Sequence, residues 1–238
     1  MNNNIDNNFK CVLSIGMRCF SEIFLKKMEY KKFSCIFDGA YMCSIENIIH
    51  ILENGINYDD FIYTESIDDM QIQSLNKQHG YRSIHKIYNT STENKVTMYH
   101  KAMYPHHNFK NNSVWEHMKR TIKRLDCIKS EKIRTLFFLC VHPNYYGDYC
   151  PTINELEKLS NYLQNEFNCH LLVVYFNANN IVNKQKWFFI QQNKNITIIN
   201  VSNNSEKYEV QKDTLKEIFS FYNINNDDLL PYEYFIDK

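Results

Sequence analysis

Two continuous apolar runs constrain this chain more than any other feature. They are "RTLFFLCV", ending at Val141, and "HLLVVYF", ending at Phe176. Neither alternates apolar with polar residues, so neither suits a strand with one wet face. Such runs are buried on both sides, as in parallel sheets covered by helices. The segment between them fits the crossover that parallel strands require. Thr152 and Glu155 form a capping box, and a helical pattern follows to about Phe167. The same reading extends along the chain. Lys10 to Ile15, Phe33 to Phe37 and "ITIINV" are further predicted strands. Helices are predicted over Cys19–Met28, Ser44–Glu53 (stopped by Gly55), Ser113–Ile128 (capped by Ser113 with Glu116) and Thr214–Tyr222. The expected fold class is α/β, a mostly parallel central sheet with helices on both faces.

Two regions stand outside this pattern. "MNNNIDNNF", residues 1–9, is polar and reads as a disordered leader, leaving 10–238 as a single α/β domain. Residues 57–112 carry no clear period and read as an insertion or subdomain. Within it "YRSIHKIY" and "KVTMYH" suggest a strand pair, with "NTSTEN" as the turn.

Composition narrows the function classes. The 238 residues have a formal net charge of +0, which argues against a nucleic-acid partner. The longest apolar run is Leu136 to Val141, far short of the roughly 20 residues that span a membrane, so no membrane association is expected. The 8 cysteines sit mostly in apolar runs, no secretory signal precedes them and no CxxC occurs. Free thiols in a reducing, intracellular setting follow, with no metal and no cofactor expected. A phosphate loop and a GxGxxG fingerprint are both missing.

Chemistry in an open parallel sheet belongs beyond the carboxyl ends of the strands. "LSIGMRCFSEIFL" is such a place: a strand ends, Gly16 turns the chain, and Cys19 opens a helix. A cysteine there meets unpaired amides and the positive end of the helix dipole, and both favour thiolate. Arg18 would add to this, and the amides of Cys19 and Phe20 could serve an oxyanion. On local sequence alone the same cysteine reads more readily as a small core side chain. Asp38, after "FSCIF", is either a triad-type acid that orients a histidine or a turn residue before Gly39. His100, His106 and His107 cluster before a capped helix, and His142 ends the central strand with Asp148 beyond it. His107 and His142 are the candidate general bases, against a reading as ordinary loop or structural histidines.

Taken together, "VLSIGMRCFSEIFLKKM", "FSCIFDGAYMCSIENIIHIL", "YPHHNF" and "WEHMKRTIKRLDCIKSEKIRTLFFLCV" resemble a family of unknown function described as "putative papain-like cysteine peptidase". That family has a strand-Ser-Leu-Gly-x-x-Cys opening, then Phe-Asp-Trp, a His-Asp-Phe-like motif, an Arg-rich helix and an apolar strand. Ser14, Gly16 and Cys19 match the opening, and Phe37 and Asp38 the second motif. His107 and Phe109 match the third, and Arg120, Arg124 and the strand from Thr135 the fourth. Gly39 stands where the family has tryptophan, and Asn108 where it has an acid. Asparagine orients histidine in Cys-His-Asn sites. "CFSEI" is also similar, more loosely, to the Gly-Ser-Cys-Phe-Ala domain related to esterases of the Ser-Gly-Asn-His type.

The resemblance implies a cysteine-dependent hydrolase or acyltransferase, peptidase-like or esterase-like. Cys19 is its nucleophile, His107 (His142 second) its base, and Asp38 or Asn108 the orienting group. Gly16, Arg18 and Phe20 would line the oxyanion or substrate site. Substrates would be a peptide, an isopeptide or an acylated glycan. Two rivals stand beside it. One is a non-hydrolytic sugar-nucleotide or glycan-binding protein using Arg18, Arg120 and Arg124; the other is a catalytically inactive interaction module.

Overall fold

The computed structural model of the chain describes residues 7–16, 20–40, 44–57, 59, 61–65, 81–85, 111–142, 150–176, 186–202 and 208–236. Residues 61–65, 81–85 and 208–211 are described by backbone alone. Seven strands are present among them: β1 (Cys11–Ser14), β2 (Phe61–Glu65), β3 (Tyr81–His85), β4 (Thr135–Val141), β5 (Cys169–Phe176), β6 (Trp187–Gln192) and β7 (Ile196–Val201). The helices are α1 (Phe20–Lys27), α2 (Ile45–Asn54), α3 (Asn112–Ser130), α4 (Ile153–Glu166) and α5 (Tyr208–Ser220).

The main sheet has the order β1-β4-β5-β7-β6. β1, β4, β5 and β7 run parallel, and β6 closes one side antiparallel to β7. The period-2 alternation of strand side chains sorts the apolar runs onto two faces. Leu13, Phe137, Leu139, Leu171, Val173 and Ile198 lie in one core with the apolar stripes of α2, α3 and α4. Val12, Leu136, Phe138, Leu172, Val174 and Ile199 lie in the other, against Phe24 and Leu25 of α1 and Leu215, Ile218 and Phe219 of α5. The α/β fold with a mostly parallel sheet and helices on both faces therefore follows from continuous apolar strands, as expected.

Several local expectations hold. Thr152 and Glu155 form the capping box of α4. Gly55 ends α2 at φ 67°, donating its amide to the Ile51 carbonyl, a conformation that favours glycine. Others are corrected. Phe33 to Phe37 is not a strand. Asp38 donates its amide to the Cys35 carbonyl and Ala40 to that of Phe37, so consecutive turns replace a ladder. Gly39 there has φ 66°. A residue with a side chain is strained in that region, which accounts for glycine where the resemblance leads one to expect tryptophan. α3 is capped by Asn111, not Ser113, because the Asn111 side chain accepts from the Ser113 amide at 3.0 Å. β3 pairs with β2, Phe61 opposite His85, in a separate two-stranded sheet. The segment "KVTMYH", expected as its partner, lies outside the described residues. β6 and the first turns of α5 are additional to the expected elements.

Candidate active site

β1 ends at Ser14, and the ladder closes with the Ile15 amide donating to the Phe138 carbonyl at 2.9 Å. Gly16 is buried at this carboxyl edge. α1 begins at Phe20, and the next residue, Ser21, is fully buried. Its Oγ accepts the Cys140 amide at 2.9 Å, taking the donor of β4 that lies past the end of β1. The helix start is thereby pinned to β4.

His142 directly follows β4. Its ring stacks on Phe176 at the end of β5, with centroids 4.7 Å apart and planes at 9°, and lies 4.4 Å from the ring of Phe20. An imidazole and the first residue of α1 thus meet beyond the carboxyl ends of β4 and β5, where strand-end logic places a site.

A buried ionic cluster joins the end of β1 to the start of α1. The Asp38 carboxylate takes the Ser14 hydroxyl on Oδ1 at 2.7 Å and the Cys35 amide on Oδ2 at 2.7 Å. Lys31 Nζ reaches Asp38 Oδ2 at 2.5 Å and Glu22 Oε1 at 2.6 Å. Lys26 adds a second cation to Glu22 at 2.5 Å. Burial pushes Asp38 above the usual carboxylate range, with Lys31 pulling against it. Burial also works on Glu22, but Lys26 and Lys31 outweigh it and hold that carboxyl low. The loop carrying Lys31 and Asp38 is anchored from α3. There the buried Arg124 donates to the Ser34 carbonyl at 3.1 Å and packs its guanidinium over Tyr232. Its buried contacts commit Arg124 to the loop, against the phosphate-binding role in the sugar-nucleotide reading. Arg120 is exposed. His117 is held below the usual imidazole range by burial and by Arg120 and Arg124.

Of the site residues expected from sequence, the structure describes Gly16, Phe20, Asp38 and His142; Arg18, Cys19, His107 and Asn108 lie outside the described residues. It brings Phe20 to His142 and Asp38 to Ser14. Lys31 and Glu22 escaped the sequence reading, since Lys31 sits in "YKKFS" among many ordinary lysines and carries no motif. Cys11, Cys35, Cys150 and Cys169 are free thiols. Burial pushes Cys11, Cys35 and Cys169 up to about 12. Burial, with Glu155, also raises the exposed Cys150. Cys127 and Cys140 are buried. Among the described residues no group of three or more His, Cys, Asp or Glu is arranged to hold a metal ion. No helix among them is long and apolar enough to cross a membrane.

The structure is that of an α/β domain in which a strand end and a helix start meet at the carboxyl edge of a mostly parallel sheet. The chain belongs to the family described as "Putative papain-like cysteine peptidase (DUF1796)", whose model matches residues 10–185. No curated protein and no solved structure matches it.

Proposed function

We propose that this protein is a cysteine hydrolase or acyltransferase with Cys19 as nucleophile. The observation that carries this reading is the tilted ring contact of His142 with Phe20, the residue that follows Cys19 in the chain. It sets an imidazole against the start of α1, the end that favours thiolate and holds anions. The other cysteines add support: those with a resolved shift are all raised, so none of them is a ready thiolate.

In the proposed reaction the Cys19 thiolate attacks the carbonyl carbon of a peptide, isopeptide or ester on a glycan. The α1 amides hold the tetrahedral oxyanion, with Gly16 giving the backbone room and Arg18 adding positive charge. The imidazolium gives its proton to the departing amine or alcohol, leaving a thioester. Water, deprotonated by the same imidazole, then releases the acid and regenerates the thiolate. The imidazole belongs to His142 or to His107. Asn108, next to His107, or Asp38 orients it. The Phe20 contact supports His142.

Mass spectrometry of the protein treated with p-nitrophenyl acetate at pH 6.5 tests this. The expected result is one acetyl group on Cys19, absent from Cys19→Ser and at least about tenfold slower to form in whichever of His142→Ala or His107→Ala removes the base. Acetylation confined to the exposed Cys150, or indifferent to both histidines, would remove the proposal.

A further inference from the structure

The cluster around Lys31 has a geometry that packing alone does not require. Its tethers fall on both sides of one stretch of chain. Ser14, the last residue of β1, donates to Asp38 at 2.7 Å. Glu22, the third residue of α1, pairs with Lys31 at 2.6 Å. Lys31 and Asp38 pair with each other at 2.5 Å. Residues 15–21, which include Cys19, run between these two tethers. Lys31 and Asp38 are themselves fixed independently of that stretch. The Cys35 amide binds Asp38, Arg124 binds the Ser34 carbonyl, and Phe33 packs on Phe235 with centroids 4.5 Å apart.

Burying two carboxylates and an ammonium is costly, and an apolar trio of similar volume is commonly as stable or more so. Ion pairs differ from apolar contacts in being directional, so they fix a register that a greasy contact leaves free. We infer that Lys31 and Asp38 are positioning residues: their ion pair clamps the end of β1 and the start of α1 to one buried point and so sets the geometry of the thiol between them. This deepens the proposed function and rests on Cys19 being its nucleophile. Neither residue touches substrate. They act through the placement of α1, whose terminal amides and dipole stabilise thiolate.

The test is the rate of iodoacetamide alkylation at each cysteine against pH, resolved by peptide mass spectrometry. The full chain is used, with Glu22→Gln, Lys31→Met and Lys31→Arg variants. Glu22→Gln loosens only the helix-side tether and keeps the Lys31–Asp38 pair, so it serves if Lys31→Met does not fold. In the wild type Cys19 should react faster than Cys150 below pH 7. In Glu22→Gln and Lys31→Met the Cys19 profile should move up by about one pH unit, a roughly tenfold loss of rate in acid. Cys150 should be unchanged and the buried Cys11, Cys35 and Cys169 unlabelled, which rules out general unfolding as the cause. Lys31→Arg should restore the wild-type profile. A Cys19 profile that stays fixed while the core thiols remain silent overturns the clamp. If Cys19 of the wild type reacts no faster than Cys150, the nucleophile reading fails instead. The clamp is then judged by tryptic cleavage after Arg18: faster cutting in Glu22→Gln than in wild type supports it, and equal cutting in the two rejects it.

Discussion

Replacing Lys31 with methionine is expected to destabilise the protein by about 3–5 kcal/mol at pH 7, the cost of stranding one member of a buried ion pair. The side chain of Lys31 is only 9% exposed and that of Asp38 11%, so solvent cannot take over the lost contact. Glu22 keeps Lys26, whereas Asp38 keeps, among the described residues, the Ser14 hydroxyl and the Cys35 amide but no cation. The sign of the pH dependence follows. Burial already raises the Asp38 pKa, and removing Lys31 raises it further. As pH falls, the variant sheds its stranded charge by protonation, so the gap to wild type should narrow toward pH 5. Adding Asp38→Asn to Lys31→Met should recover part of the loss, because the uncompensated charge is then gone. Urea denaturation of the three proteins at pH 7 and pH 5 measures all of this. A single variant within about 1 kcal/mol of wild type at both pH values would mean that the pair behaves like an exposed one.

The second large effect is an acid weakness at the opposite end of the sheet. His170, at the start of β5, is fully buried. Its Nδ1 lies 3.1 Å from the Lys194 carbonyl, which can only accept, so Nδ1 carries the proton. Nε2 then accepts the Thr197 hydroxyl at 2.9 Å. This neutral tautomer is fully satisfied. Burial pushes the imidazole down to about 4; the Lys194 carbonyl opposes that shift and Arg134 reinforces it. The unfolded chain takes up this proton near pH 6.5 and the native protein only near 4, so the unfolded state binds more protons in between. Stability from this group is therefore complete above about pH 6.5, falls as pH drops through the window, and is lost by about pH 4. The span corresponds to about 3 kcal/mol. His170→Asn, which keeps a donor for the Lys194 carbonyl, should flatten that part of the stability–pH curve. An unchanged slope between pH 6.5 and 4 would show that other groups cause the acid loss.

The parts of the fold legible in the sequence were those governed by local pattern. β4 and β5 are dominated by continuous apolar runs, β7 is mostly apolar, and α4 carries its capping box in four residues. What was missed depended on contacts distant in sequence. The stretch 33–37 is as apolar as a strand, but Asp38 draws the Cys35 amide back on itself and turns the chain. β6 reads weakly because it is an edge strand with two exposed residues in a row and a register shift between Phe189 and Gln191. Asn111 displaced Ser113 as a cap because either side chain can reach a free amide at that helix start. At the candidate site, strand-end logic pointed to the segment from Gly16 to Cys19 and to His142, and the structure brings Phe20, next to that segment, against His142. Lys31 was invisible, since its importance comes from two carboxylates, one earlier and one later in the chain, that only the folded protein brings to it.

The most direct measurement is the ionisation of one thiol. Ultraviolet absorbance of thiolate, titrated in the wild type and in Cys19→Ser, gives by difference the midpoint for Cys19 alone. A helix-start cysteine beside an imidazole should ionise below about pH 7. A difference curve with its midpoint at about 8.5 or higher, as for an ordinary or buried thiol, would contradict a nucleophilic Cys19 and leave the α/β fold without its proposed chemistry.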